Sequence, residues 1–248
     1  MIKTLLLVFI SIQAIAQQKT DSLKVLFVGN SYTYFWNMPQ MVQAMADKHE
    51  LPWKVRKSTA GGSNWEQHWK GEKGLKSKDM IAKGEWDIVI LQNHSRSTLD
   101  RSNKFHEYGK LLIDWVRENG AEPVLYETWS RSFNPLMLQT IKSEYQKLAE
   151  EHKIDLVRVG ELWEYVTQLK PDTPLYHPDG SHPSPVGSYL TACMFFQYLS
   201  KMPLDKVGER ISTVDKDGEL LYLAIIMEEE ADFLKQSVSS FNRKQSDE

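Results

Sequence analysis

The stretch Val25-Leu26-Phe27-Val28-Gly29-Asn30-Ser31 decides the fold. Its unbroken apolar run reads as a strand buried on both faces. The run stops at Gly29, where a tight turn is expected, and leaves a hydroxyl, Ser31, at the strand's C-terminal end. Open α/β sheets bind ligands at that end. Taken alone, Gly-Asn-Ser after a strand reads equally well as an ordinary turn in which Ser31 or Thr33 caps the next helix.

Working outward, further β-rich runs occur at Trp53 to Lys57, Ile88 to Leu91, Pro123 to Tyr126 and Leu156 to Val159. Between them, Phe105, Tyr108, Leu112 and Trp115 recur at helical spacing, as do Leu138, Ile141, Tyr145 and Leu148. Gly120 fits a helix stop. This alternation predicts a parallel sheet covered on both faces by helices. Tyr176 to Gly187, rich in Pro and Gly, predicts a loop, and Ser184-Pro185 an N-cap with proline at the first helical position. A deeply packed helix over Tyr189 to Leu199 follows. Leu220, Ala224, Met227, Ala231, Leu234, Val238 and Phe241 form a heptad-like stripe, expected as a terminal amphipathic helix on its own domain or a dimer seam. Arg243 to Glu248 are expected to be disordered.

Lys3, the apolar Leu5 to Ile10 and Ala14-Ile15-Ala16 have the zones of a secretory signal peptide spanning residues 1–16. Cleavage after Ala16 predicts a periplasmic or secreted protein, and the apolar zone is too short for stable membrane insertion. Residues 17–242 are expected to form one domain. A net charge of −3 among 248 residues provides no electrostatic footprint for nucleic acid. Cys193 is the sole cysteine, so no intrachain disulfide forms, and its apolar neighbours predict burial.

Far downstream, Asp179-Gly180-Ser181-His182-Pro183 places a carboxylate three residues before an imidazole in the Pro/Gly-rich loop. With Ser31 these residues supply a nucleophile, its general base and the group that orients the base: the three roles of an acyl-transfer triad. His49, His68, His106 and His152 read as structural. A metal reading of His177, Asp179 and His182 lacks the spacing of a metalloenzyme motif, so no metal or cofactor is expected.

These blocks resemble those of the SGNH (GDSL-type) hydrolase superfamily, and within it the bacterial DUF4886 domain proteins. The strand followed by Gly-Asp-Ser corresponds to Val25 to Ser31 with Asn30 in place of the acid, and Asp-x-x-His corresponds to Asp179 to His182. The resemblance implies a three-layer α/β/α, flavodoxin-like fold with a central parallel sheet. It also implies Ser31 as nucleophile, His182 as general base and acid, and Asp179 as its orienter. The superfamily's backbone oxyanion donors fall at Ser31 and at Gly61 or Gly62, within Ala60-Gly61-Gly62-Ser63. Its asparagine falls in Leu91-Gln92-Asn93-His94-Ser95, where Asn93 or Gln92 is eligible for the side-chain amide. A polar loop satisfying its own backbone is the competing reading of Gln92-Asn93.

Aromatic and basic residues follow these blocks. Tyr32, Tyr34, Phe35 and Trp36 after the nucleophile, Trp65 and Trp69 after the glycine block and Trp129 after the fourth strand are candidates to stack on substrate, and Arg131 or Arg96 to hold a carboxylate or polar substituent, with packing of the loops as the alternative for each aromatic. The expectation is an esterase acting on a small-molecule or glycan ester, with removal of acetyl or other small acyl groups from carbohydrate implied by the relatives. A non-catalytic glycan-binding protein and an acyltransferase using the same triad stay open, as do monomer and homodimer.

Overall fold

The computed structural model describes residues 22–247; the expected signal peptide lies outside them. Five parallel strands form the central sheet: β1 (Lys24–Gly29), β2 (Lys54–Thr59), β3 (Ile88–Leu91), β4 (Glu122–Tyr126) and β5 (Asp155–Val157), in the order β2-β1-β3-β4-β5. The helices are α1 (Ser31–Tyr34), α2 (Met38–Lys48), α3 (Trp65–Lys70), α4 (Ser77–Lys83), α5 (Ser97–Asp100), α6 (Ser102–Glu118), α7 (Met137–His152), α8 (Val159–Leu169), α9 (Pro185–Ser200) and α10 (Glu228–Asp247). None of them is long and apolar enough to cross a membrane.

The unbroken apolar run of β1 has a direct structural cause. Alternate residues of a strand face opposite sides of the sheet. Val25 and Phe27 join a core with residues of α2, α8, α9 and α10, while Leu26 and Val28 join a second core with residues of α3, α6 and α7. Neither face is left to solvent, which gives the three layers the sequence predicts. Ser184 caps α9, its Oγ accepting the Gly187 amide at 3.0 Å, with Pro185 next as the Ser-Pro pair predicts. Cys193 is buried in α9 and unpaired.

The structure departs from the expectations in three places. The fifth strand ends at Val157, and Val159 already opens α8, because the Glu127 carboxylate takes the Glu161 amide of that helix at 3.0 Å. The heptad-like stripe is split. Leu220–Ile225 is strand β7, paired antiparallel with β6 (Arg210–Val214), and the helix starts only at Glu228. The signal was the turn Asp215-Lys216-Asp217-Gly218, in which the Asp215 carboxylate accepts the Asp217 and Glu219 amides and Gly218 takes φ +89°. Finally, α10 runs through the expected disordered tail to Asp247. Asn242 donates to Gln197 Oε1 at 2.7 Å and Lys244 lies 4.7 Å from the Tyr165 ring, so its last turns have tertiary partners.

Sheet order determines where a site forms. In this order the winding of the parallel strands across the sheet reverses between β1 and β3, and ligands bind in the crevice beyond the carboxyl ends of such strands. Val28 pairs with Leu91, so the turns after β1 and β3 lie side by side.

Candidate active site

Ser31 is the first residue of α1, directly after the strand, and Asn30 caps that helix. Asn30 Oδ1 accepts the Tyr32 amide at 3.0 Å, and Asn30 Nδ2 donates to the Ser63 carbonyl at 2.8 Å. The residue standing in place of the superfamily's acid therefore ties the nucleophile turn to the glycine block, a bond for which a carboxylate has no donor. Gly29 is needed for space, not for a left-handed turn. A Cβ there would stand 2.4 Å from Gln92 Oε1 and 2.5 Å from Thr33 Oγ1.

The loop after Tyr176 delivers the base. Tyr176 bridges to Pro183, His177 N donates to the His182 carbonyl at 2.8 Å, and Gly180 takes φ +67° to close the turn. Inside it, His182 Nδ1 lies 2.6 Å from Asp179 Oδ2, and His182 Nε2 lies 2.9 Å from Ser31 Oγ. Asp179 Oδ1 also accepts the Ser181 and His182 amides at 2.9 Å each. Burial opposes ionisation of Asp179, but the His182 ring and these two amides outweigh it and hold the carboxyl well below the usual range. Asp179 thus stays ionised across the neutral range. With Asp179 as acceptor, Nδ1 carries the proton and Nε2 faces Ser31 as acceptor, the tautomer a general base needs. Among the described residues no group of three or more His, Cys, Asp or Glu is arranged to hold a metal ion.

Aromatic side chains hold this loop in place, which corrects several expectations. Tyr32, 4% exposed, gives its hydroxyl to a 2.7 Å bond with Ser181 Oγ and stacks on Trp129 at 4.6 Å. Trp129, 1% exposed, stacks in turn on Trp163 and donates Nε1 to the Ser181 carbonyl at 3.0 Å. Both prop the histidine loop from beneath and have no face left for substrate. Trp65 is fully buried against Phe105 in the second core and is not a substrate residue either. Arg96 is committed to Asp100 through two bonds of 2.6 and 2.8 Å. Two other rings that follow the nucleophile, Phe35 and Trp36, also lie against the histidine loop. Phe35 stacks on His182 at 4.3 Å, and Trp36, 43% exposed, donates Nε1 to the Pro183 carbonyl at 2.9 Å.

The oxyanion candidates separate cleanly. Gln92 Oε1 accepts the Asn30 amide at 2.8 Å and the Thr33 hydroxyl at 2.9 Å, while its Nε2 donates to the Asn93 carbonyl. Both ends are engaged, so Gln92 braces the nucleophile turn, with one of its two amide hydrogens already on the Asn93 carbonyl. Asn93 is held the other way. Its Oδ1 accepts from Trp65 N, His94 N and Ser97 Oγ, and its own amide donates to the Tyr145 hydroxyl at 3.2 Å. These contacts orient the side chain and leave Nδ2 as its donor end, with no acceptor among the described residues. The Ser31, Gly61 and Gly62 amides likewise have none. Gly62, at φ +60°, forms the turn that Ser63 N closes on the Ala60 carbonyl at 3.2 Å.

His68, read as structural, is buried behind the same turn. Ser77 Oγ lies 2.6 Å from Nδ1, and Nε2 faces the Gly29 carbonyl at 3.0 Å. Burial, reinforced by the Lys73 charge and only partly offset by the Gly29 carbonyl, lowers its pKa to about 4, so it is neutral at pH 7.

No family model matches the sequence, and no curated protein matches it. Solved structures do. A proposed SGNH hydrolase from Slackia heliotrinireducens superimposes with a TM-score of 0.63 at 24% identity, covering 72% of this chain and 100% of its own. A DUF4886 family protein from Bacteroides uniformis gives 0.64 at 15% identity, covering 89% of this chain and 94% of its own. An acetyl xylan esterase gives 0.61 at 14% identity, covering 71% of this chain and 100% of its own. The chain has the fold of the SGNH hydrolases. Its resemblance to the DUF4886 family protein extends over most of the described residues.

Proposed function

We propose that the protein is a serine ester hydrolase that removes acetyl or other small acyl groups from carbohydrate, acting after export. The observation that carries the ester chemistry is the Asp179–His182–Ser31 relay, with contacts of 2.6 and 2.9 Å, at the carboxyl end of β1. In this reading His182 Nε2 takes the Ser31 proton as Oγ bonds to the ester carbonyl carbon. The resulting oxyanion is held by the Ser31 amide, by Gly61 or Gly62, and by Asn93 Nδ2. Collapse breaks the ester bond, and the departing alcohol takes the proton from His182. Water then attacks the acyl-enzyme, with His182 again as base, and releases the carboxylic acid.

The carbohydrate part is supported by the similarity to an acetyl xylan esterase and by the exposed Trp36 beside the triad. Export rests on the N-terminal sequence.

The test is the initial rate of 4-nitrophenyl acetate hydrolysis by residues 17–248, beside Ser31→Ala and His182→Ala variants with native circular dichroism. Turnover by the wild type and a fall of several orders of magnitude in both variants is expected. Equal, background rates from all three proteins on acetyl and longer acyl esters would refute the triad. Release of acetate from simple esters but from no acetylated polysaccharide would remove the carbohydrate part.

A further inference from the structure

Arg131 follows β4 in a loop packed directly on the histidine loop. Ser132 N donates to the Gly180 carbonyl at 2.9 Å, and a Cβ on Gly180 would stand 2.5 Å from Ser132 Oγ and 3.1 Å from Phe133 Cδ1. The turn from Arg131 to Asn134 is closed by Asn134 N on the Arg131 carbonyl at 3.0 Å. The Arg131 loop thus packs on the histidine loop, while the Arg131 charge reaches His94 and Asp100, beyond Asn93 in the loop after β3 and the short helix that follows it. The Lys73 charge is felt at His94 too.

The guanidinium is unusual for what it lacks. Among the described residues every other arginine has an ion pair or a hydrogen bond; Arg96 holds Asp100 and Arg101 holds Glu66, for example. Arg131 has neither, and its Nε is a buried donor with no partner. It lies over the Phe133 ring, whose centroid is 5.8 Å away. A buried donor left unpaired is unfavourable, and the half-buried guanidinium around it leaves its outer nitrogens open to a ligand acceptor. Lys73 bonds the Gly61 carbonyl at 2.9 Å and has no carboxylate partner among the described residues. Burial, with these two positive charges, lowers the His94 pKa, so the imidazole adds no third charge at neutral pH. Arg131 and Lys73 thus set two positive charges around the loop that carries Asn93, where the Asp100 carboxylate is already held by Arg96.

We propose that Arg131 binds a carboxylate carried by the sugar of the ester substrate, so that the preferred substrate is an O-acylated acidic sugar. The inference rests on the ester hydrolase reading. The planar guanidinium fork matches a carboxylate through paired hydrogen bonds. Phe133, 68% exposed beside it, and Trp36 across the triad present aromatic faces to a sugar ring. Lys73 adds long-range attraction without a fixed geometry.

The experiment compares methyl 3-O-acetyl-galacturonoside with methyl 3-O-acetyl-galactoside, which differ in the carboxylate alone. Wild type is expected to favour the acidic ester by roughly tenfold or more in kcat/KM, expressed in KM. Arg131→Gln should collapse the ratio of the two values toward one, and Arg131→Lys should keep part of it. A wild-type ratio at or below one, or an equal loss on both esters in Arg131→Gln, overturns the proposal. So does a carboxylate preference confined to 4-nitrophenyl hemisuccinate over the butyrate ester, which would put the carboxylate on the acyl group. If no ester is turned over, the hydrolase reading fails, and calorimetric binding of methyl galacturonoside and methyl galactoside decides the subsite separately. Tighter binding of the acid that is lost in Arg131→Gln supports it; equal binding overturns it.

Discussion

Replacing Asn93 by aspartate separates the two jobs of that side chain. Oδ1 keeps its acceptor role toward Trp65 N at 3.0 Å, His94 N at 2.8 Å and Ser97 Oγ at 3.2 Å. The Nδ2 donor is exchanged for a second acceptor bearing negative charge. The loop anchors survive, and three donors offset much of the cost of burying a carboxylate, so stability is expected to fall by only about 1–2 kcal/mol. Catalysis should suffer far more. Loss of one oxyanion donor costs about 2.7–4 kcal/mol, and repulsion of the developing oxyanion adds to it, so kcat should drop at least about 100-fold with KM nearly unchanged. The assay is kcat and KM for 4-nitrophenyl acetate, paired with urea unfolding of the same preparation. A kcat within a few-fold of wild type would refute the assignment of Nδ2 to the oxyanion. A collapse of stability would mean that the Oδ1 anchors do not tolerate charge.

Three further outcomes are expected. Gln92→Met keeps the volume but orphans the Asn30 amide and the Thr33 hydroxyl, so urea unfolding should show a loss of about 2–4 kcal/mol. Unchanged stability with a large fall in kcat would instead return Gln92 to the oxyanion. Asn30→Asp sets a carboxylate oxygen against the Ser63 carbonyl, where an amide now donates at 2.8 Å, and should cost about 1–3 kcal/mol in thermal or urea unfolding; a neutral result would show that this bond does not hold the turn. Glu127 is buried, accepts only the Glu161 amide among the described residues, and has its pKa pushed from 4.5 to about 8 by burial and then by the Glu161 charge. The folded state therefore retains a proton that the unfolded chain has lost above pH 4.5. Its contribution to stability falls by ~1.4 kcal/mol per pH unit up to about pH 8 and is flat beyond. His68, with its lowered pKa, produces the opposite slope only between about pH 4 and 6.5. Glu127→Gln should thus gain on wild type steadily as pH rises from 6.5 to 8; a constant difference would show that Glu127 is already ionised.

The sequence by itself determined the layers and the triad candidates. Both kinds of signal are local: a strand buried on two faces must be apolar throughout, and Asp179 and His182 lie close enough for one turn to join them. Even the N-cap at Ser184 follows from two adjacent residues. Which polar and aromatic residues serve substrate and which serve the scaffold was decided by tertiary structure alone. Gln92 and Asn93 are neighbours with the same functional group, yet one meets the Asn30 amide in the turn after β1 and the other the Trp65 amide at the start of α3. Tyr32, Trp65 and Trp129 carry the composition of a sugar platform and are spent on packing, since burial depends on what other segments place over a ring. The same holds for Leu220 to Met227, where a four-three spacing suits a helix but the turn at Asp215 and pairing with β6 commit Leu220–Ile225 to a strand. Spacing is a property of one segment, whereas contact is a property of two, and only the folded chain supplies the second.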